Sequence, residues 1–360
     1  MPSTILNIII VIFSLIFLVI LHEFGHFITA KCFLVKVDEF GVGFPPRIFG
    51  KKIGDTIYSL NLLPLGAFVK MPGEIGESDD EASFSKKPCW KRAIIVFAGV
   101  LSFWIIAAII FSVLFAVGAP TSISDDDAAR NPKLQISEVA AGSPAALDRL
   151  RIGDNVIAIG ASAAGLMSID KIDELQSFIN THRGEEIILN IQRGKEIFNV
   201  SVTPRPNPPP NEGSLGVSLN RIDVQTYPWW QAPWWGIQTT ISLTKSIVLG
   251  YINIIVNILH KQPAGVHLSG PVGIVKIGIN IINLGWNYFL IFMGNIAVYI
   301  AIFNILPIPA LDGGKLVFLG IEAIKKKPIS QKIEGTITNV FFGILILLMI
   351  FVTINDVISK

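Results

Sequence analysis

The chain has 360 residues, a formal net charge of +2, 51% hydrophobic and 16% charged residues, and a mean hydropathy of +0.58. A charged fraction so far below the roughly 25% of a soluble protein excludes a wholly soluble enzyme and indicates an integral membrane protein with a soluble portion. With so small a net charge and no long Lys/Arg tract, nucleic acid is not an expected partner.

In chain order, the first predicted element is an apolar run from Ile5 to Ile28, longer than the about 20 residues a membrane span needs. No basic residue precedes it and no small-residue cleavage site follows, so it reads as a retained helix rather than a signal peptide. A polar loop from Lys31 to Arg92 holds both cysteines, Cys32 and Cys89, and two segments, Gly41-Val42-Gly43 and Leu60 to Gly66, with the look of β-hairpin strands. Ala93–Val117 is the second span. A cysteine-free insertion, Pro120 to Trp235, must fold on a hydrophobic core alone. Phe289–Leu306 and Val340–Ile354 complete about four spans.

Ile237–Leu259 is also apolar but carries Lys245, Asn253 and Asn257. The loop basic residues Lys51, Lys52, Lys86, Lys87, Lys91 and Arg92, with Lys325, Lys326, Lys327 and Lys332 near the end, place both loops in the cytoplasm and both termini outside. A lone crossing at 237–259 would carry Asp312 to the face opposite His22. The segment is therefore expected to lie along the interface or pack without crossing, anchored by Trp229, Trp230, Trp234 and Trp235.

The chemistry concentrates in His22-Glu23-Phe24-Gly25-His26. On a helix the two imidazoles are one turn apart on one face and can reach one metal, while Glu23 beside them can take a proton from the attacking water. Three ionisable groups inside an apolar helix are costly and mark function. A catalytic zinc takes three protein ligands and leaves one position open. Asp312, in the Pro- and Gly-broken stretch Asn304 to Gly314 that follows the third span, is the candidate third ligand. If the bond attacked lies in a helix, that helix must be unwound, and an exposed strand edge in the Lys31–Arg92 loop could hold it, with Gly41, Gly43, Leu65 and Gly66 as candidate residues. His182, His260 and His267 are assigned no role.

These motifs, with FGVGFPP, LNLLPLGAFVKMPGE, SGPVGI and NILPIPALDGG, resemble the site-2 protease family of intramembrane zinc metalloproteases, in its regulator-of-sigma-E branch. The resemblance covers nearly the whole chain. It implies His22, His26 and Asp312 as zinc ligands, Glu23 as base, and Asn304 as a group holding the substrate backbone. The insertion resembles a single PDZ domain through Gly142-Ser143-Pro144-Ala145, Arg151-Ile152-Gly153-Asp154 and the strand-like Ile187–Ile191 and Phe198–Val202. One departure stands out: after Ala98-Gly99-Val100-Leu101-Ser102 comes Phe103, where family members usually carry Asn.

The expected fold is a multi-span α-helical membrane protein with a membrane-associated β-hairpin loop and an inserted α+β PDZ domain. Its expected parts are residues 1–118 (first membrane core), 119–205 (PDZ), 206–270 (linker and interfacial helix) and 271–360 (second membrane core). The expected cofactor is Zn2+. Expected partners are single-span membrane protein substrates, peptide termini at the PDZ domain, and the lipid bilayer of a bacterial cytoplasmic membrane. A catalytically weak PDZ scaffold and a metal transporter are the alternatives.

Overall fold

The computed structural model describes residues 2–74, 76, 78–194, 196–209, 212–260 and 269–358. Two compact units are present: residues 1–113, 231–280 and 290–360 form the first, and 114–230 with 281–289 the second.

The first unit begins with helix α1 (Pro2–Cys32) and strands β1 (Glu39–Ile53) and β2 (Thr56–Lys70). Both strands bend back on themselves, so that residues 39–42 pair with 57–60 on one side and 67–70 on the other. Residues 49–53 then pair along the far side of 57–60. The hairpin is thus a small sheet of four segments with 67–70 at one edge and 49–53 at the other. Phe27 of α1 packs edge-on against Phe40 and Tyr58 and seats this sheet on the first helix.

Helix α2 (Cys89–Val117) runs antiparallel to α1. A Cβ on Gly25 would lie 2.6 Å from the Ala98 carbonyl oxygen, so the two backbones touch where glycine permits it. Beyond the His26 end of this contact Ala30, Val35, Val37, Met71, Phe84, Ile95, Val96 and Leu319 form a buried cluster.

The second unit contains α3 (Pro144–Leu147), α4 (Ile172–Thr181) and strands β3 (Ala119–Ser122), β4 (Lys133–Val139), β5 (Asn155–Gly160), β6 (Met167–Ser168), β7 (Ile187–Arg193), β8 (Glu196–Val202) and β9 (Val217–Gln225). The strand order is β3-β9-β4-β5-β7-β8, with β6 on β5. Alternating residues of β4 and β7, including Leu134, Ile136, Ile187, Leu189 and Ile191, point into a core that Leu175 and Ile179 of α4 close. The sheet therefore extends past residue 205, where the sequence reading begins a linker. The Pro-rich stretch looks like a spacer by composition, yet Arg205 N–H donates to the Ser214 carbonyl at 2.8 Å and turns the chain back into β9.

The remaining helices are α5 (Ala232–Leu259), α6 (Pro271–Leu284), α7 (Trp286–Ile305), α8 (Asp312–Lys325) and α9 (Gln331–Ile358). Among the described residues five helices, rather than about four, are long and apolar enough to cross a membrane: Thr4–Cys32, Cys89–Val117, Ala232–Leu259, Trp286–Ile305 and Lys332–Ile358. The additional one contains the segment expected to lie along the interface or pack on the bundle without crossing. Helix α5 packs lengthwise and antiparallel on α2: Gly236 abuts Ala108 and Ser112, and Trp104 Nε1 donates to Thr244 Oγ1 at 3.1 Å. Thr240 and Thr244 bond the carbonyls one turn back, at 2.8 and 2.7 Å, so their hydroxyls are satisfied without water. The constraint behind the expectation still holds. Gly236 of α5 meets Ser112 and Gly294 of α7 meets Phe111, so the chain enters 236 and leaves 294 at the same end of α2. Helix α7 consequently runs back towards the end of α1 that carries His22.

Candidate metal centre

Helical periodicity puts His22 and His26 on the face of α1 that packs against α2, and both are buried. His26 Nδ1–H donates to the Ile95 carbonyl at 2.9 Å, which leaves Nε2 free to act as a lone-pair donor. Gly99 makes this possible, since a Cβ there would lie 2.2 Å from the His26 ring. Phe103, on the next turn of α2, stacks on His22 with ring centroids 4.7 Å apart and planes 15° from parallel.

Asp312 arrives from the other side as the first residue of α8. The prolines 307 and 309 interrupt the helix after Ile305, and the chain turns through Ile308 N–H to Leu306 O (2.7 Å) and Leu311 N–H to Ile308 O (2.9 Å). Gly313 and Gly314 then press against that broken backbone. A Cβ on the first would lie 2.2 Å from Leu306 O, and on the second 2.3 Å from Ile308 O. Only glycine lets α8 start here.

Nε2 of His22 and of His26 lie 3.3 and 3.4 Å from Asp312 Oδ2. The three donor groups all lie within 4.8 Å of one another. Donors about 2.0–2.1 Å from a tetrahedral metal are roughly 3.3 Å apart, so two edges of the triangle match such a site. Oδ2 of Asp312 is buried with no hydrogen-bond partner among the described residues. An orphaned carboxylate oxygen facing two imidazole nitrogens is a poor polar core and a good metal site. The residues present fit zinc.

Glu23 is half-buried beside His22. Ser102 Oγ, a possible substitute for the missing Asn, bonds the Gly99 carbonyl at 2.6 Å within its own helix. The Asn304 amide donates to Ile300 O at 3.1 Å, one turn back. Gly41 pairs with Ser59 and Phe68 on its two sides, so it has no free backbone edge to offer a substrate. Gly43 is closed in as well, with φ +77° and Asn61 Nδ2 on its carbonyl at 3.2 Å. Gly66, at φ +150°, lies beside the outer segment 67–70 and near Val19 of α1. Leu65 belongs to β2, and its side chain lies outside the described residues. His182 stacks on Phe178, caps α4 and belongs to no metal-holding group among the described residues, while His267 lies outside the described residues.

Sequence reasoning missed one partnership. Lys315, one turn beyond Asp312, forms an ion pair with Glu74, four residues past the end of β2. Burial works against the Lys315 charge, but the Glu74 carboxylate, helped by Asp312 and Glu23, outweighs it and holds the ammonium above the usual lysine range. The i+3 spacing from Asp312 was the available signal.

The comparisons with known proteins bear on this centre. The family model for peptidase family M50 matches residues 10–348. The chain belongs to peptidase family M50. A Clostridium perfringens chain named provisionally as a zinc metalloprotease is 33% identical over 348 residues, covering 95% of each chain. The zinc metalloprotease RasP of Oceanobacillus iheyensis is 27% identical, covering 97% of this chain and 98% of its own. An Arabidopsis thaliana chloroplast membrane metalloprotease, ARASP, is 28% identical over 95% of this chain and 76% of its own. This M50 member is a membrane-located zinc metalloprotease of the site-2 type, and zinc is its cofactor.

Proposed function

We propose that this M50 protease cuts peptide bonds within or near transmembrane segments of single-span membrane proteins, with zinc held by His22, His26 and Asp312 and Glu23 as the proton carrier. The observation that carries this reading is the buried triangle of two Nε2 atoms and one carboxylate oxygen, built on an apolar helix long enough to span a bilayer.

Bound zinc would polarise the scissile carbonyl and lower the pKa of water at the site towards 7. Glu23 takes the proton from the attacking water and returns it to the leaving amine, acting first as base and then as acid. His26 is fixed through Ile95 O, and Asp312 by the glycine-packed start of α8. The edge segment 67–70 of the hairpin lies beside α1 and is suited to add the unwound substrate as a further strand, with Gly66 giving close backbone approach. Asn304 is the candidate for holding the substrate backbone elsewhere.

The second unit supports a PDZ reading. Residues 217–221 of β9 pair with β4 on one side, while β3 covers only 222–225 on the other. The open stretch faces α4 across a groove of about 230 Å³ that begins at the Gly213–Leu215 loop. Such a groove takes an extended peptide terminus. By family analogy the substrates are anti-sigma factors or signal-peptide remnants, and the protein lies in a bacterial cytoplasmic membrane with the sheet unit outside and the metal centre nearer the cytoplasm.

Co-expression with tagged single-span substrates tests the reading. Wild type is expected to cleave, and Glu23→Gln to bind equal zinc and cleave nothing. Unchanged cleavage by Glu23→Gln would remove Glu23 from the chemistry. A metal transporter would lose nothing by that substitution.

A further inference from the structure

The two histidines of the centre are held by different means. His26 has the usual arrangement, in which the ring nitrogen remote from the metal donates to a fixed acceptor, here the Ile95 carbonyl at 2.9 Å. His22 has none. Its Nδ1 is buried and, among the described residues, has no hydrogen-bond partner. With Nε2 as the metal-binding atom, Nδ1 carries the proton of the neutral ring, and among the described residues nothing polar receives it.

A ring without a remote hydrogen bond can turn about its χ2 axis unless something else stops it. Here the stop is an aromatic face. Phe103 is 1% exposed, and its ring lies 4.7 Å from that of His22 at 15° to it. On the other side the His26 ring meets His22 edge-on, at 4.7 Å and 77°. Turning His22 about χ2 would drive its edge into the Phe103 face and swing Nε2 out of the donor triangle.

We infer that Phe103 is a positioning residue for the metal centre, doing for His22 by stacking what the Ile95 carbonyl does for His26 by hydrogen bonding. The inference rests on the reading of His22 as a zinc ligand. It gives the departure at position 103 a role in metal binding, where the sequence alone offers only a lost amide.

The test uses the full chain purified in detergent. Zinc affinity is measured by chelator competition, and the cobalt-substituted protein is examined for its visible d–d absorption. Phe103→Met keeps volume but removes the flat face, Phe103→Leu is a second non-aromatic filling, and Phe103→Tyr keeps the face. Loss of an outer partner of a metal-ligating histidine typically lowers affinity about 10- to 100-fold. The expected result is a loss of about tenfold in Phe103→Met and Phe103→Leu with a shifted cobalt spectrum, and wild-type behaviour in Phe103→Tyr. The thermal midpoint of the zinc-free protein should be the same for wild type and at least one non-aromatic variant. Affinity within twofold of wild type in both, while His22→Ala loses its zinc, would overturn the role of Phe103 alone. Full zinc retention in His22→Ala would overturn the ligand assignment and this inference with it.

Discussion

Two glycines on one helix give a prediction of opposite sign from the same chemical change. Gly313 and Gly320 both lie in α8, and in each a single methyl group would replace hydrogen. At Gly320 nothing lies within 4 Å of the added Cβ, so Gly320→Ala is expected to gain helix propensity, about 0.5–1 kcal/mol. At Gly313 the Cβ would lie 2.2 Å from Leu306 O and 2.3 Å from Ile305 O, against an ordinary contact of 3.4 Å or more. The shortfall is 3.4 − 2.2 = 1.2 Å, against backbone that cannot rotate aside.

Overpacking of this kind costs about 1–3 kcal/mol, which more than cancels the propensity gain. The geometric effect is larger still. Asp312 is the preceding residue, and a metal site tolerates displacements of only about 0.2 Å in its ligand distances. Gly313→Ala is therefore expected to bind zinc at least about tenfold more weakly and unfold at a lower temperature in detergent. Gly320→Ala should bind zinc normally and unfold no lower than wild type. Chelator competition and thermal unfolding, measured on both variants side by side, decide the matter. Normal zinc affinity in Gly313→Ala would show that the approach of α8 to the 305–308 backbone does not set the Asp312 position.

Further predictions concern the supports away from the metal. Arg221 is buried and donates to the carbonyls of Asp170, Ser124 and Asp127 at 2.8, 2.6 and 3.0 Å. Arg221→Met strips three carbonyls of a charged donor and is expected to destabilise the sheet unit by about 3 kcal/mol, read as faster limited proteolysis between residues 122 and 131 with zinc binding intact. Asp356, near the end of α9, accepts from the Gly273 N–H at 2.8 Å and so caps the start of α6. Asp356→Ala should cost about 0.5–2 kcal/mol in thermal unfolding, largely restored by Asp356→Asn, because an amide oxygen can accept the same bond. Equal unfolding in all three proteins would discount the cap.

The sequence by itself determined the parts of this protein that depend on local periodicity and residue chemistry. HEFGH on an apolar run determined a helix and a shared face for His22 and His26, a candidate metal-binding pair, because the 3.6-residue turn leaves no alternative placement. Asp312 could be chosen because ionisable groups at such depth are few, and the prolines and glycines around it announced a broken backbone. The β-rich loop and the mixed character of the insertion were legible too, through alternation and turn residues.

What the tertiary structure alone decided lies in contacts between segments distant in sequence. Hydropathy marked down 237–259 for its polar residues, whereas packing on α2 and back-bonding by Thr240 and Thr244 make it a continuous 28-residue helix. Strand-like composition could not say that Gly41 is interior and the 67–70 segment an edge, since pairing is a property of partners and not of residues. Nor could it carry β9 past the proline stretch and back into the sheet. At the centre itself, the sequence supplied the candidate donors, but only the fold supplied their second partners: the Ile95 carbonyl behind His26, and the ring of Phe103 against His22.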